Sequence, residues 1–187
     1  IPNKGRLSEQ TLGLFEQAGL RAAFRADRAL VASLGEDFQA IFVRAQDIPE
    51  SVADGAAELG VTGSDLVAES GRDVEEILHL GFGQCRLNVA VKDESPVKSS
   101  SELPPGTRVA TSFPRSARQY FESLGISIQI APVSGAAEIA PHLGVADVIV
   151  YLTSTGCTLR VNVLLEVDTL LDCSSKLIAS PVALGEE

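Results

Sequence analysis

The chain has 187 residues, 45% of them hydrophobic and 21% charged, enough to bury a real core in one domain or two small lobes. A formal net charge of −10 and an isoelectric point near 4.7 argue against nucleic acid as the main partner. An anionic small molecule then requires cations gathered locally around it. No stretch is long and apolar enough to span a membrane, and no signal peptide is visible. Cys85, Cys157 and Cys173 are far apart, without a CxxC and with only His79 and His142 to help. That usage disfavours a zinc site and, more strongly, a disulfide framework; a reducing cytoplasm is the simplest setting. The chain begins Ile1-Pro2, contains no Met and ends on Leu184-Gly185-Glu186-Glu187. We expect the natural start, with most of a first strand, to lie upstream.

In chain order, Asn3-Lys4-Gly5-Arg6 precedes Leu7, Leu12, Phe15 and Ala18, a helical apolar spacing that stops at Gly19. Lys4 and Arg6 thus fall at a helix N-terminus, where they face the positive end of the dipole. Either they are solvated surface charges or an anionic ligand offsets the repulsion. Residues 28–32 and 38–43 read as strands, and Pro49 to Leu59 as an amphipathic helix closed by Gly60. Val61-Thr62-Gly63-Ser64-Asp65 then has the order strand, small-residue turn, helix, where Ser64 or Asp65 serves a ligand or is no more than an N-cap.

Residues 75–80 form a short helix or strand, Gly81 to Gln84 a turn, and Cys85 to Val91 a strand. Lys92 to Gly106, rich in Ser, Pro and charge, is the clearest loop. A strand follows at 108–111, a helix from Arg115 to Leu124, a strand at 126–133, and a helix opening at Ser134-Gly135-Ala136-Ala137-Glu138. The chain then reaches Val145-Ala146-Asp147-Val148-Ile149-Val150-Tyr151-Leu152, an almost unbroken aliphatic run typical of a buried strand. It ends in Thr153-Ser154-Thr155-Gly156-Cys157-Thr158, with a helix starting at Leu159-Arg160. Hydroxyls, backbone N–H groups and a helix dipole converging after a strand make a phosphate cradle, although Ser and Thr also cap helices for structural reasons. Residues 163–171 and 175–179 are the last strands. The alternation of strands and helices predicts an α/β fold with largely parallel sheets, with ligand residues at the C-terminal ends of strands.

Six segments in the correct order resemble the ATP phosphoribosyltransferase family, over essentially the whole chain. They are Pro2-x-Lys4-Gly5-Arg6; Arg44-x-x-Asp47-Ile48-Pro49; Gly60-Val61-Thr62-Gly63-x-Asp65; Leu80-Gly81-Phe82-Gly83-x-Cys85-Arg86-Leu87; and Val109 to Pro114. The sixth runs from Glu138 through Gly144, Ala146 and Ile149 to Thr155-Gly156-x-Thr158-Leu159. The resemblance implies a two-lobed, periplasmic-binding-protein-like (type II) α/β fold with its site in the inter-lobe cleft. Lobe I would comprise 1–86 plus 173–187, and lobe II, 87–172, would carry the phosphate loop.

It further implies a cytoplasmic pentosyltransferase opening histidine biosynthesis, in which adenine N1 of ATP attacks C1 of phosphoribosyl pyrophosphate (PRPP). Pyrophosphate leaves with Mg²⁺ held mainly by the substrate's own oxygens. Arg6 and Arg28 match positions that stabilise the departing pyrophosphate, and Lys4 adds to that field. Thr153, Ser154, Thr155, Gly156, Cys157 and Thr158 would anchor the 5′-phosphate, Cys157 through its backbone N–H. Arg44, Thr62, Gly63, Asp65 and Glu138 fall in segments expected to face the nucleotide. His79 and His142 are not needed as bases, because adenine N1 carries its own lone pair. The family assembles as oligomers. One branch needs a partner subunit resembling a histidyl-tRNA synthetase; the other carries a C-terminal regulatory domain. Two departures stand out: Tyr151 where the family has an acidic residue holding the ribose hydroxyls, and Val163 where it usually has Gly. A chain with Tyr151 leaves an alternative, a two-lobed module that binds a phosphorylated ligand without turnover.

Overall fold

The computed structural model describes residues 1–24, 29–133, 137–154 and 163–185. The chain divides into two compact units: Ile1–Gly83 with Ser174–Glu187, and Gln84–Cys173.

In the first unit α1 spans Gly5–Gln17. It ends where Gly19 turns left-handed at φ +82 and Leu20 N–H returns to the carbonyl of Phe15 at 2.7 Å. Strands β1 (Ala22–Phe24), β2 (Val31–Leu34) and β3 (Phe38–Ile41) form an antiparallel sheet in that order. Period-two alternation turns Ala32, Leu34 and Ala40 inward, where with Phe42 they meet Leu12 and Phe15 of α1. A second sheet has the order β4 (Leu59–Gly63), β11 (Ser175–Ala179), β5 (Glu75–His79), antiparallel throughout. Helices α2 (Ile48–Ala53) and α3 (Ser64–Ser70) flank β4, and Ile48, Val52 and Ile178 form the core between them. Lys176 of β11 is buried, yet its ammonium finds Glu76 at 2.7 Å and His79 Nε2 at 2.9 Å. A lysine at this depth needs such partners.

The second unit is one five-stranded sheet. Its strands are β6 (Cys85–Lys92), β7 (Thr107–Thr111), β8 (Ile128–Pro132), β9 (Val148–Thr153) and β10 (Leu164–Cys173), in the order β10-β6-β9-β7-β8. Helix α4 (Pro114–Ser123) makes the crossover from β7 to β8 and buries Ala117 and Phe121 completely. Strand β9 is covered on both faces: Val148 and Val150 on one, Ile149 and Tyr151 on the other, are all buried. That is why its sequence reads as an unbroken apolar run. The 92–106 loop is tied down where Asp168 of β10 accepts the Ser100 N–H and the Ser99 hydroxyl.

Several expectations need correction. The sheets are mixed: among the described strands only β7–β8 and β7–β9 pair in parallel. The short turn joining β2 to β3 permits only antiparallel pairing, and β10 returns beside β6 along a long antiparallel ladder. The helix expected from Pro49 to Leu59 stops at Ala53, because Gly55 turns left-handed at φ +76. Gly60 is no helix stop but a strand residue: a Cβ there would lie 2.6 Å from Ile48 Cγ2 and 2.8 Å from Val52 Cγ2. Glu138 belongs to a 3-10 turn, Ala137–Ile139, with no α-helix in the described residues beside it. The strand expected at 28–32 begins at Val31, and β1 is an element the sequence pattern misses. The helix expected from Leu159-Arg160 lies outside the described residues.

Candidate active site

The first unit presents its cations around the start of α1. Lys4 is the N-cap, in extended backbone (φ −162, ψ 166), with no side-chain cap and no acidic residue in the first turn. Gly5 follows at φ +81, a conformation that favours glycine, with nothing within 4 Å of where a Cβ would be. The orphan N–H groups of the helix therefore have no capping side chain among the described residues, and Lys4 and Arg6 stand exposed beside them. An anion would satisfy both the N–H groups and the cations. Lys4 and Arg44, with Asn3, Ala45, Gln46 and Leu66, line an open hollow of about 380 Å³. Arg28 lies outside the described residues.

At the far end of β4 the structure separates supporting residues from presenting ones. Thr62 is fully buried, and its hydroxyl donates to the Ala45 carbonyl at 3.1 Å, fixing the segment that carries Arg44. Asp65 is buried at the start of α3, its carboxylate folded back over Gly63 into the space a Cβ would fill. Burial raises the Asp65 carboxyl above its usual range, opposed by hydrogen bonds from its own N–H and that of Leu66. Ser64 holds the start of β11 through two bonds to the Ser174 backbone, at 2.9 and 3.1 Å.

In the second unit β9 delivers Tyr151 and Thr153, both buried, and then Ser154, which is exposed. Thr155, Gly156, Cys157 and Thr158 lie outside the described residues. The Tyr151 hydroxyl donates to Glu166 Oε1 at 2.9 Å, and Glu166 Oε2 lies 3.8 Å from Arg86. Burial first, and then the bond to the Glu166 anion, push the Tyr151 hydroxyl well above its ordinary value. Tyr151 is thus a fixed neutral donor, and the negative charge on this sheet face is that of Glu166. Beside it Asn88 is fully buried: Oδ1 accepts from the Thr169 hydroxyl at 2.8 Å, while Nδ2 finds no partner among the described residues. Glu138 is half-buried in its 3-10 turn.

Glu166, Arg86 and Asn88 were not among the sequence candidates. They meet Tyr151 only through strand register, Asn88 opposite Tyr151 and Arg86 opposite Thr153. The one sequence signal was Arg86, which closes the Gly81-Phe82-Gly83-x-Cys85-Arg86 segment. Within neither unit do three carboxylate, imidazole or thiol ligands of the described residues gather into a metal cluster. Mg²⁺ keeps water and phosphate ligands in preference to an all-protein cage, so an ion held chiefly by substrate oxygens asks for no such cluster.

Two α/β units built from a chain that leaves the first and returns to it define a type II periplasmic-binding-protein-like fold. The periplasmic aliphatic sulphonate binding protein SsuA from Escherichia coli superposes at TM-score 0.52 over 78% of this chain and 56% of its own, with 17% identity, a likeness of fold alone. The family model for ATP phosphoribosyltransferase matches residues 44–187, and the chain belongs to that family. The ATP phosphoribosyltransferase of Gemmatimonas aurantiaca is 60% identical over 183 residues, covering 96% of this chain and 63% of that protein. That of Methanopyrus kandleri is 52% identical over 188 residues, covering 100% and 66%. The chain therefore spans just under two thirds of these relatives. Among solved structures, the ATP phosphoribosyl transferase (HisG:HisZ) complex from Thermotoga maritima matches at TM-score 0.85 and 27% identity, over 98% of this chain and 87% of that one.

Proposed function

We propose that this chain catalyses transfer of the 5-phosphoribosyl group of PRPP to N1 of ATP, the first step of histidine biosynthesis, in the cytoplasm. The observation that carries the reading is the start of α1: an uncapped helix N-terminus with Lys4, Arg6 and no acid in its first turn, in a chain of net charge −10. So anionic a protein has little reason to gather cations on a helix's positive end unless an anion settles there. Family membership supports a phosphorylated substrate as that anion.

The N1 lone pair of adenine attacks C1 of the ribose, the C1–O bond to pyrophosphate breaks, and the configuration at C1 inverts. No side chain removes a proton from N1. The chain's work is electrostatic and positional: Lys4 and Arg6, with Arg28, meet the charge growing on the pyrophosphate oxygens, which is worth most in a site poor in water. Thr153 and Ser154, leading into Thr155–Thr158, hold the 5′-phosphate, and Tyr151 with Glu166 faces the ribose. Arg44, Gly63 and Asp65 serve the nucleotide, with Thr62 as the buttress of Arg44; Glu138 is assigned to it from its motif. When bound with the substrates, Mg²⁺ would supply charge neutralisation to the leaving group. Holding the two substrates in line contributes as much as any charge. The T. maritima relative is a HisG:HisZ complex, which supports an oligomeric assembly, with a second kind of subunit beside this chain if it is a short form.

The test is the purified chain with ATP, PRPP and Mg²⁺, plus pyrophosphatase to pull the equilibrium, following the ultraviolet change of N1-ribosylated adenine. Turnover that drops on the order of a hundredfold in Arg6→Gln supports the reading. If no turnover occurs and calorimetry detects no PRPP binding, the reading fails.

A further inference from the structure

A cysteine pair stands at the two ends of the second unit, Cys85 one residue inside its start and Cys173 at its close. Cys85 is the first residue of β6 and Cys173 the last of β10, and the antiparallel ladder sets them directly opposite each other. Opposed residues point to the same sheet face, and here the two sulfur atoms lie within 4.8 Å. Directly opposed residues of an antiparallel pair have Cα atoms about 4.5–5.5 Å apart, inside the roughly 4.4–6.8 Å that a disulfide spans. The two thiols also differ in access: Cys85 is half-buried, whereas Cys173 is 4% exposed and donates to the Leu171 carbonyl at 3.5 Å. Sequence spacing alone hid this, since the partners sit at opposite ends of the unit.

We infer that Cys85 and Cys173 form a reversible disulfide under mild oxidation, making the pair a redox modification site. The oxidant is a hydroperoxide. The Cys85 sulfur attacks the O–O bond of hydrogen peroxide, which breaks to give a Cys85 sulfenic acid and one water. The Cys173 sulfur then attacks Cys85 Sγ, the S–O bond breaks, and a second water leaves with the two thiol protons. Two electrons from the thiols reduce one peroxide, and the accessible cysteine reacts first while the buried one resolves it. In a reducing compartment such a bond is transient and responsive rather than structural. Because it ties β6 to β10 where the chain enters and leaves the second unit, it closes nearly that whole unit into one covalent loop. Long loops lose the most denatured-state entropy on closure.

The experiment treats the reduced full chain with one equivalent of hydrogen peroxide, then maps peptides by mass without reduction and melts the protein before and after. The expected result is a Cys85–Cys173 cross-link lacking two hydrogens, a melting temperature higher by several degrees, and reversal of both by a dithiol. Cys173→Ser should leave a sulfenic acid on Cys85 that a dimedone probe captures, with no thermal gain. The inference is overturned if the wild-type thiols stay alkylatable, if the link runs to Cys157 instead, or if the bridge forms without raising the melting temperature.

Discussion

Val163 carries a backbone conformation its side chain resists. It sits at φ 55, and no other non-glycine residue among those described has a positive φ. A β-branched residue there brings Cβ against the neighbouring carbonyl, at a cost of roughly 1–2 kcal/mol. Val163 is half-exposed, so little packing is lost by removing it. Val163→Gly is therefore expected to stabilise the fold by about 1 kcal/mol after the extra unfolded-state entropy of glycine is subtracted. A thermal melt decides: a lower midpoint would mean the valine side chain holds the turn. Tyr151 permits a pH prediction. Its folded-state pKa is raised above the unfolded value, by burial and by the Glu166 anion. The stability it contributes is thus complete below about pH 10 and is lost as pH climbs from there toward the folded value. Wild-type denaturant midpoints should fall more steeply above pH 10 than those of Tyr151→Phe, which keeps the ring and deletes the titrating hydroxyl. Parallel alkaline slopes would show that the hydroxyl is not desolvated in this way.

At the scale of elements, the legible parts were those fixed by local chemistry. Strand β9 announced itself because both its faces are buried, and α1 because its apolar spacing is helical and ends at Gly19. What stayed hidden depends on contacts distant in sequence. The direction of β10 against β6, and hence the meeting of Glu166 with Tyr151, follows from register that no local pattern encodes. Residues 56–58 suit a helix, but the left-handed turn at Gly55 overrides them and α2 ends at Ala53. Gly60, a strand residue and not a helix stop, yields the sharpest test at this scale. Its hydrogen leaves room for Ile48 and Val52, both in the core of the first unit. Both contacts of an added methyl would be below 3 Å and against packed side chains. Gly60→Ala should therefore destabilise by about 1–3 kcal/mol, the usual cost of overpacking. The measurement is a denaturant titration, with Gly125→Ala as a comparison: that position has open space but φ +72, so any loss there is backbone strain alone. A Gly60→Ala variant as stable as the parent would remove the steric account of Gly60, whatever the loss at Gly125.

For the whole molecule the governing fact is a net charge of −10 in a protein proposed to bind two polyanions. On that proposal the overall field opposes the approach of ATP and PRPP, and the attraction is left to Lys4, Arg6 and Arg44 at close range. Salt acts differently on the two contributions. The Debye length shrinks to about 10 Å at 0.1 M ionic strength, so repulsion from distant carboxylates is screened first and charge pairs in contact are screened least. Raising sodium chloride from about 20 to about 150 mM, at fixed free Mg²⁺, should therefore lower KM for both substrates or leave it unchanged. A basic phosphate-binding protein behaves oppositely, because its long-range field assists capture and salt removes that help. Initial rates across the series, with Lys4→Gln alongside, make the comparison. The variant should have a higher KM for PRPP at every salt concentration and the same flat or falling dependence, since its lost contact is local. A KM that climbs about tenfold over this range would place the attraction in the long-range field rather than at the start of α1.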